Sequence, residues 1–218
     1  MSFLNKELTA YIRQTLKPST GLLLELEQFA KDNHVPIIKP EVMCLLRTLL
    51  AVKRPQKVLE IGTAIGYSAL VFSEYIPEGG KIITVESNED CAKLARQNFA
   101  RGGAVQIKQI VGDGADVLRQ TDETFDFIFL DANKSLYMKC LPDVLRILAP
   151  GGILAADNVL YRGMVPGGAT ARRKRTLVHN LQDFLSAISH DPRLTTSILP
   201  IGDGLSLSVR TEKKENLL

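Results

Sequence analysis

Apolar and polar positions change rhythm once along this chain, near Lys57. Before that point they recur at helical spacing. Leu4, Leu8, Tyr11, Ile12 and Leu16 follow a period of about 3.6 residues and stop at Pro18, which predicts a helix over Phe3–Leu16. A second helix is predicted over Leu22–Lys31, opened by Ser19 and Thr20 as candidate caps, and a third over Glu41–Val52, with Pro40 at or just before its first position. Between them Asn33–Pro40 reads as an extended crossing restricted by its prolines. From Lys57 the pattern becomes short apolar runs alternating with amphipathic stretches. Strands are predicted at Lys57–Ile61, Lys81–Glu86, Val105–Val111, Phe125–Asp131 and Ile153–Asp157, several of them almost continuously apolar, as parallel strands buried on both faces are. Helices fit at Tyr67–Tyr75, Glu89–Arg101, Asp113–Arg119 and Leu136–Leu148, and a long one at Arg172–Ser189. Two last β runs, Thr195–Pro200 and Leu205–Arg210, flank Gly202-Asp203-Gly204, whose Asp-Gly is a hairpin signal. The tail Glu212–Leu218 is expected to fray.

Alternating strand and helix units imply an α/β fold, a doubly wound Rossmann-like sheet, mostly parallel and closed by an antiparallel hairpin. A chain of 218 residues fits one such domain, with 1–53 as a helical N-terminal extension and 57–210 as the core. No run of about 18 apolar residues exists, so no transmembrane helix is expected. The first residues carry Lys6, Glu7, Arg13 and Lys17 in a broken apolar pattern, unlike a signal peptide. The 3 cysteines, Cys44, Cys91 and Cys140, form no C-x-x-C pair, which suits reduced core thiols in a cytoplasmic protein. A formal charge of +3 is too small to imply a nucleic-acid partner by itself. Its distribution is more pointed, because Arg172-Arg173-Lys174-Arg175 is an unbroken cationic run with Arg162 shortly before it. Such a run is usually a solvated helix face unless it lies beside a site.

In a doubly wound sheet, ligands bind outside the carboxyl ends of the strands. The first strand runs through Glu60 into Gly62-x-x-x-Gly66, where glycines permit a tight turn and close approach of a ligand. Ala64 occupies the place of the middle glycine of the dinucleotide fingerprint, so a nucleoside cofactor without a pyrophosphate is favoured. Glu86, at the end of the second strand, can accept hydrogen bonds from a ribose diol. S-adenosylmethionine is the leading candidate. Asp113, ahead of Gly114, can cap the next helix and also bound the adenine pocket with its neighbours. Strand four ends in Asp131, followed by Asn133 and Lys134, and strand five in Asp157-Asn158. Topology should make those two strands neighbours. Two carboxylates and an amide oxygen are hard ligands that suit Mg²⁺, with Mn²⁺ as a second choice, and no histidine or cysteine argues for zinc. Lys134 reads as a solvated loop residue or, beside a metal and a sulfonium, as a base.

The motifs together resemble the cation-dependent O-methyltransferases related to catechol and caffeoyl-CoA methyltransferases. LEIGTAIGYSA is similar to the cofactor motif of that family, FLDANK to its metal-and-lysine motif and ADNVL to its second metal motif. Within the family the chain is most similar to bacterial tRNA 5-hydroxyuridine methyltransferases, on LKP at 16–18, HVPI at 34–37, DNVLYRG at 157–163, RRKRTLV at 172–178 and PIGDGLSLS at 200–208. The resemblance implies cofactor contacts at Ile38, Gly62, Ser68, Glu86 and Gly114, with Tyr67 counted beside Ser68 and Asp131 near the methyl donor. It implies metal ligands at Asp131, Asp157 and Asn158, a catalytic Lys134, and a homodimer through the N-terminal helices. Asn133 stands where plant enzymes carry an acid that contacts their substrates, which points away from a caffeoyl-CoA-like acceptor.

The reaction expected from these residues is in-line methyl transfer from a sulfonium to a metal-chelated hydroxyl. A 5-hydroxyuridine and a catechol present the same chelating bite, so the metal edge does not choose between them. Arg162, Arg172, Arg173 and Arg175 are the candidates for holding phosphates of an anticodon loop. The rivals are a small-molecule catechol methyltransferase, a non-catalytic adenosyl-binding module and a nicotinamide dehydrogenase. Intact Asp131, Lys134, Asp157 and Asn158 weigh against the last two.

Overall fold

A computed structural model describes residues 6–166 and 175–211. Three helices lead: α1 (Lys6–Thr15), α2 (Gly21–Asp32) and α3 (Pro40–Lys53), the last with its proline at the first helical turn. They are followed by β1 (Lys57–Ile61), α4 (Tyr67–Ser73), β2 (Lys81–Glu86), α5 (Glu89–Arg101), β3 (Ile107–Val111) and α6 (Gly114–Gln120). Next come β4 (Phe125–Leu130), a single 3-10 turn at Lys134–Leu136, α7 (Tyr137–Ile147), β5 (Leu148–Asp157), α8 (Arg175–His190), β6 (Leu194–Leu199) and β7 (Leu205–Arg210). The strands form one 7-stranded sheet in the order β3-β2-β1-β4-β5-β7-β6. The first five are parallel, and β7 runs antiparallel to both β5 and β6.

The alternation of side chains along each strand builds two cores, one on each face of the sheet. Leu59, Ile61, Ile83, Val85, Ile128 and Leu130 pack under α6, α7 and α8. Val58, Ile82, Phe127, Phe129, Ile153 and Ala155 pack under α2, α3, α4 and α5. On that second face Phe72 of α4 sits edge-on to Phe127 and Phe129, with ring centroids 5.8 and 5.5 Å away. Helix α1 contributes no buried residue and leaves Leu8, Tyr11 and Ile12 exposed. It is tied to α3 by Arg13, whose guanidinium donates to both carboxylate oxygens of Glu41 at 2.7 and 2.9 Å.

Several boundaries differ from the sequence expectation for identifiable reasons. Strand β3 starts at Ile107, and Val105 lies outside it, almost fully exposed. Strand β5 begins at Leu148, because the register jumps from Phe125↔Leu148 to Phe127↔Ile153 and so absorbs Pro150-Gly151-Gly152 as an irregularity. Thr20 occupies the N-cap position of α2 without a side-chain cap bond, and the Ser19 hydroxyl donates to Glu27 instead, at 2.5 Å. The cysteines are not uniformly core thiols: Cys140 is buried, Cys91 is partly buried and Cys44 is exposed on α3. The expected start of α8 at Arg172 and the expected frayed tail fall outside the described residues. Among the described residues no helix is long and apolar enough to cross a membrane.

Candidate active site

The carboxyl ends of β2, β1 and β4 are level, and backbone bonds continue past each strand to keep them so. Gly62 N–H donates to Val85 O, Gly112 N–H to Glu86 O and Asp131 N–H to Ile61 O, all at 2.9 Å. The chain order reverses between β1 and β4, which is where a doubly wound sheet opens its crevice. A cavity of about 820 Å³ lies along this edge. Its wall includes Ile38, Gly62, Thr63, Tyr67, Ser68, Glu86, Asp113, Gly114, Asp131, Lys134, Asp157, Asn158 and Arg162. The sequence candidates from the ends of β1, β2, β3, β4 and β5 are thus gathered around one space.

Two candidates stand behind the wall. Gly66 adopts φ +85 at the N-cap of α4, and a Cβ there would come within 2.6 Å of the Phe99 ring, so its role is the turn and the packing beneath it. Glu60 is fully buried, and its carboxyl group is bonded to Ser68 and Thr84. Tyr67 lines the cavity, yet its hydroxyl donates away from it, to Glu27 at 2.5 Å. Arg172 and Arg173 lie outside the described residues, whereas Arg175 is exposed at the start of α8.

Glu86 holds the glycine turn as well as facing the cavity. Its Oε2 accepts from Ala64 N–H and its Oε1 from Asn88 N–H, each at 2.9 Å. Each oxygen keeps a second lone pair for a ribose hydroxyl. Glu86→Ala is therefore expected to weaken binding of S-adenosylhomocysteine by about 1.5–3 kcal/mol and to lower Tm by freeing two backbone donors. Glu86→Gln, which keeps an acceptor for one of them, should lose affinity with a smaller drop in Tm. Calorimetric titration beside thermal melting checks both, and unchanged affinity in both variants would remove Glu86 from the ribose site. Asp113 serves two purposes in the same way: Oδ1 accepts from Ala115 N–H at 2.7 Å and caps α6, while the residue lines the cavity.

At the β4–β5 end, charge is concentrated in little space. Lys134 Nζ donates to Asp131 Oδ1 at 3.0 Å. Burial and the neighbouring Asp131 push the Asp157 carboxyl up to about 7, and burial raises Asp131 against the pull of Lys134. The Tyr137 hydroxyl ties the two strand ends together by donating to Leu130 O at 2.8 Å and Asp157 O at 3.1 Å. Asn158 follows in the left-handed region at φ +58, with Asp157 Oδ1 accepting from its backbone N–H at 2.7 Å. No group of three or more His, Cys, Asp or Glu side chains among the described residues is placed to hold a metal. The donor set here is two carboxylates and one carboxamide, and its two crowded acids share one lysine. Those residues fit a hard divalent cation that keeps water ligands.

Sequence reasoning missed Thr84, Lys39 and Asp203. Thr84 is a hydroxyl inside the apolar run of β2, in register with Glu60, and that register was its only signal. Asp203 reads from sequence as a hairpin residue. In the fold its carboxylate accepts the Arg162 N–H and its carbonyl accepts Leu160 N–H at 3.1 Å, so it fixes the loop that follows Asn158.

A 7-stranded sheet in this order, with a cleft across its central strand ends, is the Rossmann-like methyltransferase architecture. The family model described as O-methyltransferase matches residues 16–211. The chain belongs to that family. Caffeoyl-CoA O-methyltransferase 2 of Populus trichocarpa is 32% identical over 178 residues, covering 76% of this chain and 71% of the relative. Catechol O-methyltransferase domain-containing protein 1 of Mus musculus is 32% identical over 201 residues, covering 86% and 72%. The crystal structure of the O-methyltransferase from Bacillus cereus in complex with SAH superimposes with a TM-score of 0.83 at 27% identity, covering 94% of this chain and 97% of that one. The protein is an S-adenosylmethionine-dependent O-methyltransferase.

Proposed function

We propose that this enzyme methylates the 5-hydroxyl of 5-hydroxyuridine in a tRNA anticodon loop, with a divalent cation held by Asp131, Asp157 and Asn158. The observation that carries the reading is the set of basic side chains beside those ligands. Lys39 and Arg162 line the same cavity as Asp131 and Asn158. Burial raises the Asp203 carboxyl above its ordinary value, and Arg162, Lys134 and Lys39 lie close enough to work against that rise. Arg175 is exposed at the start of α8, next to the sequence run Arg172–Lys174. A cation at a helix start opposes its macrodipole, so a phosphate partner accounts for Arg175 better than helix stability does. A splayed anticodon base brings flanking phosphates with it, and a free catechol brings none.

Held by Asp131, Asp157 and Asn158, the cation would act as a Lewis acid and lower the pKa of the hydroxyl to be methylated. The chain does the rest. Gly62 lets the cofactor lie against the β1 turn, and Glu86 fixes its ribose. Asp131 holds Lys134 Nζ at the acceptor side, where the amine, once free of its proton, takes the proton of the acceptor hydroxyl. The two strand ends, fixed by Tyr137, hold the acceptor in line with the methyl group. The exposed apolar side chains of α1 support self-association in the same reading, and sedimentation tests it.

A small catechol as the acceptor is the second reading, favoured by the names of the relatives. Purified enzyme offered both acceptors separates them. Mass spectrometry of digested tRNA should show 5-methoxyuridine, and neutralising Arg162, Arg172, Arg173 and Arg175 should weaken tRNA binding and flatten its salt dependence by roughly 0.7–0.9 per lost phosphate contact. Efficient turnover of catechols with no methylation of 5-hydroxyuridine tRNA, and no effect of the arginine variants, would overturn the RNA reading.

A further inference from the structure

Glu60 is a carboxyl group at a position where β1 should carry an apolar side chain. It points into the face covered by α4, is 0% exposed and has no cationic partner among the described residues. Its neighbours are hydroxyls. Ser68 bonds to Oε1, Thr84 bonds to Oε2 at 2.5 Å, and Thr63 bonds to Thr84 at 2.5 Å. The ionisable groups facing it are acidic: Asp131 beyond β4 and Glu86 at the end of β2. The lysine at this edge, Lys134, is already engaged with Asp131. Burial, with those two acids adding to it, pushes the Glu60 carboxyl up to about 8.

Counting protons along the chain of hydroxyls shows what this does. If Glu60 is ionised, Ser68 and Thr84 must both donate to it, and Thr63 must donate to Thr84. Every hydroxyl proton is then used internally, and nothing in the network can donate into the cavity. One additional proton on Glu60 reverses the direction at one end. Placed on Oε1, it goes to the Ser68 oxygen and frees the Ser68 proton. Ser68 is the less buried of the two ends, since Thr63 is 1% exposed while Ser68 is only partly buried in the cavity wall. No bond beyond these hydrogen bonds forms or breaks.

We propose that Glu60 serves as a neutral acid that donates to Ser68, so that the Ser68 hydroxyl donates into the cavity to the carboxylate of the cofactor's methionine end. The proposal rests on the cofactor being S-adenosylmethionine. That carboxylate is the only anion of the ligand, so a freed donor in the wall is matched to it. Glu60 is a positioning residue: it acts through Ser68. The linkage has a definite sign. Binding favours the protonated form, so affinity is full below the titration of the free enzyme and falls as pH rises through about 8. Folding has the same sign, because the native state holds a proton that the unfolded chain has lost above the ordinary carboxylate range.

Calorimetric titration of S-adenosylhomocysteine into wild type, Glu60→Gln and Ser68→Ala tests this. The α-amino group of the ligand titrates in the same range, and the variants subtract it because they share the ligand. Wild-type Kd should rise by on the order of tenfold more than that of Glu60→Gln between about pH 7 and about pH 9, with proton uptake on binding that the variant lacks. Gln can donate to Ser68 at all pH values, so its affinity should match the low-pH wild type. Ser68→Ala should show the high-pH wild-type affinity throughout, and it carries the test if Glu60→Gln does not fold. Equal pH slopes in wild type and both variants, or affinity that improves as pH rises, would overturn the proposal. Thermal melting of the free proteins reads the Glu60 proton without any ligand: the margin of Glu60→Gln over wild type should widen toward about pH 8. A constant margin overturns the neutral acid alone. Absence of binding by wild type at every pH overturns the cofactor reading and the proposal with it.

Discussion

Asp157→Asn is expected to abolish methyl transfer while making the metal-free protein more stable. In wild type, Asp157 is buried against Asp131, and the repulsion between the two acids is relieved by one lysine that bonds to Asp131. Replacing the acid with an amide removes that repulsion and keeps an oxygen to accept the Asn158 N–H, now held at 2.7 Å. A gain of about 1 kcal/mol, or roughly 2–4 °C in Tm, is expected without metal. The same change removes one of the proposed ligands, so the proposed cation should no longer bind. Mg²⁺ or Mn²⁺ should raise the Tm of wild type by binding only the folded state, and should leave Asp157→Asn unmoved. EDTA should eliminate wild-type turnover, and Mg²⁺ or Mn²⁺ should restore it. Full turnover in a chelated assay, or a variant less stable than wild type, would mean that the two acids are there for another purpose.

How far the sequence discloses this site depends on whether a residue acts through its position along the strand or through a partner elsewhere. The strand ends were legible because apolar runs mark them: Glu86 closes β2, Asp157 closes β5, and Asp131 lies one residue past β4. Their adjacency followed from the topology of alternating strands and helices. The network beneath the wall was not legible. Glu60 reads as a polar strand end, and Thr84 as a tolerated hydroxyl in an apolar run. They become one unit only in the parallel register that sets Glu60 beside Thr84. Asp203 was hidden for a similar reason, since a hairpin signal explains Asp-Gly completely until the hairpin is seen to close over the loop after Asn158. Local signals of capping were mixed: Asp113 caps α6 as expected, whereas at α2 the expected cap bond is absent. Ser19 met Glu27 across the helix surface, and Thr20 was left at the N-cap with its side chain uncommitted to the helix. The bond to a charged acceptor is the stronger one.

Gly62 shows the same contrast, and its replacement by alanine is expected to damage the protein most. From the sequence it is a turn glycine at the end of an apolar strand. In the fold it is at φ +108, where residues with a side chain are strained, and a Cβ would lie 2.3 Å from the carbonyl oxygen of Asp131 and 2.7 Å from its carbon. The obstruction is backbone, which cannot rotate away. Either β1 or the chain entering Lys134 must shift, and the bond from Asp131 N–H to Ile61 O that levels the two strand ends lies between them. Strain and overlap together should cost roughly 3–5 kcal/mol and lower Tm by about 10 °C or more. Molecules that remain folded have Asp131 displaced, so cofactor binding, metal binding and turnover should all be lost. Gly79→Ala is the matched control, because Gly79 also has positive φ, at +77, with nothing within 4 Å of the added carbon. It should lose about 1 kcal/mol of stability and keep its affinity for S-adenosylhomocysteine. Similar behaviour of the two variants in melting and calorimetry would show that strain alone explains Gly62, and that the approach of β1 to Asp131 is not what the site requires.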